Sequence, residues 1–276
     1  MAHDVPFTVL VVGGSDPTGG AGIQGDLRTL AAHGVHPTAV VAALTAQNHR
    51  GVHAVADVGA DLVVAQVEAV LAQVAPRAVK TGMLLAPETA AAVAQALGSV
   101  TAPLVVDPVL GASAGGALAR PGLPAALAAH LFPRAAVVTP NLDEAAVVLG
   151  GPVAPGGEAE AAARLRATWR CGAVLLKGGH GVGPLATDWL ATADRVLALS
   201  LPRLAVRDGH GSGCALATSL AARLGRGEDV ATAAAGAKAY LHRALAAARP
   251  LGIGRGPVRH DVPVDADTGR PTVGPA

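Results

Sequence analysis

The most constraining feature of this chain is an alternation. Short runs rich in β-branched residues and Leu recur along it, separated by longer stretches with helical spacing. That rhythm implies βαβ units and a mostly parallel sheet covered on both faces. Strands are expected at Phe7 to Gly13, Thr38 to Leu44, Ala78 to Thr81, Leu104 to Asp107, Ala136 to Thr139, Ala173 to Lys177, Ala186 to Leu190 and Val196 to Ser200, roughly eight in all. Helices are expected at Gly22 to His33, Leu62 to Val74, Pro87 to Leu97, Leu123 to Leu131, Leu142 to Leu149, Glu158 to Cys171, Gly213 to Leu224 and Asp229 to Ala247. The last two strands have no helix between them, so they read as an antiparallel hairpin at the sheet edge. With 51% hydrophobic but only 2% aromatic residues, the core must be built from Ala, Val and Leu, which suits closely packed helices over a sheet.

No linker separates two cores, and the 276 residues read as one domain over 1–260. The end of the chain is rich in Pro, Gly and charge, and its last ~16 residues are expected to be a mobile tail. Twenty-one basic and 20 acidic residues are scattered along the chain for a net charge of +1, which gives no footprint for nucleic acid or an anionic membrane. The first apolar stretch is cut by Gly13 and Gly14 and lacks a basic leader, so it does not read as a signal peptide. No run of about 18 apolar residues escapes a charge, Pro, Gly or His, so no membrane span is expected. Cys171 and Cys214 lie 43 positions apart without metal-type spacing, which points to a reducing, cytoplasmic setting.

Five glycines fall within Gly13 to Gly22, in a segment that follows a strand and opens a helix, where backbone amides and the helix dipole can face a ligand. Gly20 to Gly25 matches G-x-G-x-x-G but starts seven residues after the strand end, and no Gly-Lys-Ser/Thr follows. A dinucleotide fingerprint and a P-loop are both disfavoured. A second glycine-rich turn, Asp208-Gly209-His210-Gly211-Ser212-Gly213-Cys214, precedes a helix and makes an anion hole in prospect for a transferring phosphoryl group. Cys214 falls in the first turn of that helix, where the dipole is expected to lower its pKa. As a plain alternative it is a small buried hydrophobe.

Asn141 and Glu144 have the spacing of a capping box, and capping alone would explain them. Alternatively they hold water around Mg²⁺ at the carboxyl end of a strand. Lys177, followed by Gly178 and Gly179, could reach phosphate, and Asp107 before Pro108 puts a carboxylate at another strand tip. Each of these has an ordinary reading as a surface lysine or a turn.

Together these segments resemble the hydroxymethylpyrimidine/phosphomethylpyrimidine kinases of the ribokinase-like superfamily, from about Phe7 to His260. The ordered set that carries the likeness comprises Gly14 to Gln24 with Asp26, then Thr45-Ala46-Gln47-Asn48, Lys80-Thr81-Gly82-Met83-Leu84 and Asp107-Pro108-Val109. It continues through Thr139-Pro140-Asn141 with Glu144, Lys177-Gly178-Gly179-His180, His210 to Cys214, Ala237-Lys238-Ala239-Tyr240 and Gly256-Pro257-Val258. The resemblance implies a ribokinase-like three-layer α/β/α fold. It also implies transfer of a phosphoryl group from ATP, with Mg²⁺, to 4-amino-5-hydroxymethyl-2-methylpyrimidine and then its monophosphate, in thiamine biosynthesis.

Carried over residue by residue, Gly14, Asp26, Gln47, Met83 and Val109 would line the pyrimidine pocket. Asp107, Asn141 and Glu144 would organise Mg²⁺, partly through water, and Asn141, Lys177 and Lys238 would face the nucleotide. Gly211, Ser212, Gly213 and Cys214 would form the anion hole, with Cys214 where sugar-kinase relatives carry a catalytic Asp. A homo-oligomer is also implied. Two departures stand out: Ser212 replaces the usual Thr, and Ser113-Ala114-Gly115-Gly116 replaces a Lys-Ser-Gly-Asp run. The rival readings are a pyridoxal or pyridoxine kinase of the same fold and a non-catalytic pyrimidine-binding protein.

Overall fold

The structure, a computed structural model, describes residues 7–48, 50–111, 118–179, 181, 183–205, 209–252, 256–265 and 271–275. The chain begins with β1 (Thr8–Ser15), α1 (Gly22–Ala32), β2 (His36–Asn48), β3 (Gly51–Asp57), α2 (Ala60–Gln73), β4 (Ala78–Thr81), α3 (Pro87–Ala96) and β5 (Leu104–Val106). It continues with α4 (Leu123–His130), β6 (Val137–Val138), α5 (Leu142–Leu149), α6 (Glu158–Trp169), β7 (Ala173–Leu176), β8 (Leu185–Ala191) and β9 (Val196–Pro202). It closes with α7 (Ser212–Gly225), α8 (Val230–Ala246) and β10 (Thr272–Pro275).

The strands form one sheet in the order β10-β9-β8-β7-β6-β5-β4-β1-β2-β3. Pairing is parallel from β7 through β6, β5, β4 and β1 to β2, and antiparallel at both flanks. Side chains alternate across the sheet, and β1 shows the result: Leu10 and Val12 belong to one core with α2, α3, α4 and α6, while Val9 and Val11 belong to the other with α1, α7 and α8. This is the expected three-layer α/β/α architecture.

The helices fall within two residues of their expected limits. Among the described residues the sheet has ten strands rather than eight. β3 escaped the sequence reading because its side chains are mostly half-buried or exposed, so it carries little apolar signal. β2 runs on to Asn48 to pair with it, which puts Thr45 and Gln47 inside a strand rather than beyond one. β10 arises in the tail that composition marks as mobile; it pairs antiparallel with β9, so the β8–β9 hairpin is not the sheet edge. Backbone ladder bonds hold β10 despite its Pro and Gly, and its side chains contribute little burial.

Candidate active site

The parallel strands end together, and the connections that leave them frame one cavity. Its lining includes Gly14, Asp16, Asp26, Gln47, Lys80, Met83, Asp107, Val109, Asn141, Glu144, Lys177, Gly211, Gly213 and Cys214. Asp26 and Cys214, 188 positions apart in the chain, therefore meet at one site. This is the carboxyl-end crevice where open α/β sheets bind ligands.

The first wall is the glycine-rich turn after β1. Asp16 organises it: its carboxylate accepts from the Thr18 amide and the Ala21 amide, both at 2.9 Å, and lies 2.7 Å from His210 Nε2. Burial alone would raise the Asp16 pKa, but these bonds, His210's foremost, outweigh it and hold the carboxyl well below the usual range. Gly14 lies close against Met83: a Cβ there would sit 2.7 Å from Met83 Sδ, so the thioether would have to shift. Gly22 begins α1 at φ +55, and a Cβ on it would collide with the Gly14 carbonyl.

The second wall is the turn before α7. Gly211 caps the helix at φ +83, and a Cβ there would collide with the Gly20 carbonyl, so the two glycine-rich turns touch. The Ser212 amide turns back to the Gly209 carbonyl at 3.1 Å, and Ser212 is not among the lining residues. The first-turn amides bordering the cavity therefore belong to Gly213 and Cys214, where a helix has no carbonyl of its own to offer. The expected lowering of the Cys214 pKa is reversed: burial pushes the thiol up to about 11, against the opposing pull of Lys80. Desolvation disfavours the thiolate more than the helix terminus favours it.

The floor is ionic. Lys80 Nζ lies 2.8 Å from Asp26 Oδ2, with both side chains almost fully enclosed, and Asp26 Oδ1 accepts from the Thr218 hydroxyl at 2.6 Å. Burial pushes the Asp26 carboxyl up and the Lys80 ammonium pulls it back. Both Asp26 oxygens thus have protein donors: the carboxylate lines the cavity as expected and also anchors Lys80. Nearby, Lys177 Nζ lies 2.8 Å from Asp107 Oδ1, which also accepts from the Thr139 hydroxyl at 2.9 Å. Lys177 is 3.9 Å from Glu144. Burial favours neutral forms here too, but Lys177 and Lys80 hold Asp107 down, whereas Glu144 rises to about 7.

The plain reading of Asn141 and Glu144 holds: the Asn141 side chain accepts from the Glu144 amide at 2.8 Å, and Glu144 Oε2 accepts from the Asn141 amide at 2.7 Å. Among the described residues no group of three or more acidic, His or Cys side chains is arranged to hold a metal ion. Mg²⁺ prefers to keep several waters and to enter with phosphate oxygens. One or two carboxylates, Asp107 and Glu144, fit that mode, while the Asn141 oxygen is spent on its cap.

Lys238 stands apart. Its ammonium is 2.8 Å from Asp188 Oδ2, whose other oxygen accepts from the Gly178 amide at 2.9 Å. It therefore supports the turn after Lys177 rather than lining the cavity. The Ser113 to Gly116 departure, His180 and Asp208 lie outside the described residues. Sequence reasoning gave no role to Lys80, Asp16 or His210. Lys80 had a signal, a lysine inside an apolar strand, which is rarely left unpaired.

The family described as phosphomethylpyrimidine kinase matches residues 16–259. The hydroxymethylpyrimidine/phosphomethylpyrimidine kinase of Rhizobium meliloti is 49% identical over 255 residues, covering 91% of this chain and 96% of that protein. The enzyme of that name from Escherichia coli is 39% identical, with 92% and 97% covered. Among solved structures, a phosphomethylpyrimidine kinase from Clostridium difficile superposes with a TM-score of 0.74 at 32% identity, covering 86% of this chain and 99% of that one. The pyridoxal kinase from Staphylococcus aureus in complex with AMP-PCP and pyridoxal superposes with a TM-score of 0.85 at 27% identity, covering 98% of both.

Proposed function

The chain belongs to the phosphomethylpyrimidine kinase family, and from that premise we propose that it transfers the γ-phosphoryl group of ATP to the hydroxymethyl oxygen of 4-amino-5-hydroxymethyl-2-methylpyrimidine and then to the resulting monophosphate, a step toward thiamine. The observation that carries this reading is the convergence of both glycine-rich turns, the buried Lys80 and the half-buried Lys177 on the cavity that also holds Gln47 and Met83.

In this reading the acceptor ring lies against Met83, whose thioether suits a flat ring, and the Gln47 amide offers a donor beside an acceptor to an aminopyrimidine edge. Gly14 and Val109 complete the wall. The phosphoryl group passes between the walls in line, its charge met by the Gly213 and Cys214 amides and by Lys177. As the new O–P bond forms, the bond to ADP breaks. The transition state is loose, so the hydroxyl proton leaves late, passing to an oxygen of the transferred phosphoryl group and on to water, and no strong base is needed. Cys214, protonated at rest, positions the acceptor rather than deprotonating it. Asp107 and Glu144 are the residues that would hold a hydrated Mg²⁺, which would supply positive charge to offset that of the phosphates. Lys238 acts on the nucleotide side through Asp188 and Gly178.

The test is parallel assay of ADP formation and phosphorylated product with the pyrimidine alcohol, its monophosphate and pyridoxal. Turnover highest with the first two is expected; turnover of pyridoxal alone would overturn the substrate assignment.

A further inference from the structure

Gly256-Pro257-Val258 has no part in the chemistry above, yet the structure lays this segment across both glycine-rich turns. The Val258 amide donates to the His210 carbonyl at 3.1 Å, and its side chain packs with Ala215, Tyr240 and Ala244. Pro257 presses on Gly20: a Cβ on that glycine would lie 2.6 Å from Pro257 Cβ and 2.8 Å from His210 Cδ2. His260, only 1% exposed, also reaches Gly20. Its Nε2 is 3.2 Å from the Gly20 carbonyl oxygen and its Nδ1 is 2.9 Å from the Thr29 hydroxyl.

A carbonyl only accepts, so Nε2 carries the ring hydrogen and Nδ1 accepts from Thr29; the tautomer follows from the partners. The imidazole is neutral, its pKa held down at about 4 chiefly by burial. The Tyr240 hydroxyl donates to the His260 carbonyl at 2.7 Å and fixes the segment from behind. Gly20 is thus held by a hydrogen bond and by packing on its open faces. Its carbonyl is the surface on which Gly211 rests. Together with the Asp16–His210 contact at 2.7 Å, this carbonyl ties the acceptor wall to the start of α7.

Building on the phosphotransfer reading, we infer that His260 is a positioning residue for catalysis: with Pro257 and Val258 it clamps Gly20 against the His210–Gly211 turn and so fixes the spacing of the two walls. His260 is not among the residues lining the cavity, and it acts only through Gly20.

Two conservative variants separate this role from simple packing. In His260→Gln the amide falls where Nε2 stood and keeps the donor to Gly20. In His260→Asn it falls where Nδ1 stood, keeping Thr29 but not reaching Gly20. With whichever alcohol the wild type phosphorylates, assayed well below both melting midpoints, His260→Asn is expected to lose about tenfold in kcat while His260→Gln stays within about threefold. KM for ATP stays within about twofold in both. Equal kcat in the two variants, or a lower value in the Gln form, would overturn the inference. Should the wild type phosphorylate none of the alcohols, the functional reading falls, and the clamp is read separately by hydrogen exchange at the Val258 amide, which donates to the His210 carbonyl. That exchange is expected to be at least about tenfold faster in the Asn variant than in the Gln variant; equal rates would refute the clamp.

Discussion

Lys80→Met puts the ionic floor to the test. Methionine nearly matches the lysine stem in length, so packing survives and the substitution removes the ammonium from a position 2.8 Å from Asp26 Oδ2. Asp26 is then a carboxylate with 0% exposure whose remaining recorded donor is Thr218. Breaking a buried ion pair by removing one partner costs about 3–5 kcal/mol. Burial already pushes the Asp26 carboxyl up, so without Lys80 it can take up a proton, which limits the loss to about 3 kcal/mol, the lower end of that range. At 2–4 °C per kcal/mol for a chain of this size, the melting midpoint is expected to fall by roughly 6–12 °C. A carboxyl whose folded pKa is raised loses its contribution as pH rises, so the deficit should be larger near pH 8 than near pH 5. Adding Asp26→Asn removes the stranded charge while leaving an oxygen for Thr218, and is expected to recover at least half of the loss. Calorimetry of the wild type, the two single variants and the double variant at both pH values measures all of this. A Lys80→Met midpoint within about 2 °C of wild type, or a double variant lower by the sum of the singles, would refute the reasoning.

Glu144→Gln keeps the acceptor for the Asn141 amide but removes a charge that burial opposes. The folded pKa of about 7 lies above the ordinary 4.5, so the wild type loses stability as pH rises through that window. The melting midpoint of the Gln variant relative to wild type, in magnesium-free buffer, is therefore expected to climb between about pH 5 and pH 8, and a constant difference would contradict the assignment. Gln47→Leu removes the paired donor and acceptor and is expected to raise KM for the aminopyrimidine about tenfold or more while leaving pyridoxal nearly unaffected; equal effects would sink the pocket assignment. With its thiol near 11, Cys214 is expected to react slowly with iodoacetamide at neutral pH, about tenfold faster for each pH unit above it. Cys214→Ser is expected to retain turnover within about tenfold; rapid neutral alkylation, read by mass spectrometry, would show a thiolate.

Local chemistry was legible in the sequence, and pairing across the chain was not. The helices declare themselves through spacing and caps: Asn141 and Glu144 can be read as a reciprocal cap because both partners lie within one turn. The parallel strands show as buried apolar runs, whereas β3 and β10 bury too little to be seen and are held mainly by ladder bonds, with Val52 and Val55 of β3 adding partial packing. At the site, glycine density reveals two turns that approach ligand. Nothing local reveals that Asp16 would lie 2.7 Å from His210, or that Lys80 would spend its charge on Asp26. A lone charged residue in a sequence carries no mark of its partner, so Lys238, Asp26 and Cys214 were each given direct contacts with ligand. Lys238 is paired with Asp188 outside the cavity, Asp26 lines the cavity but is paired with Lys80, and Cys214 is a neutral thiol. The common cause is desolvation: where strand ends crowd together under a closed floor, an ion is tolerated only beside its counter-ion. The groups left to face an incoming phosphate are those already neutral or already paired. Such a site binds charge with backbone amides and borrowed fields, so its precision depends on the residues that hold those amides still, many of which never touch the ligand.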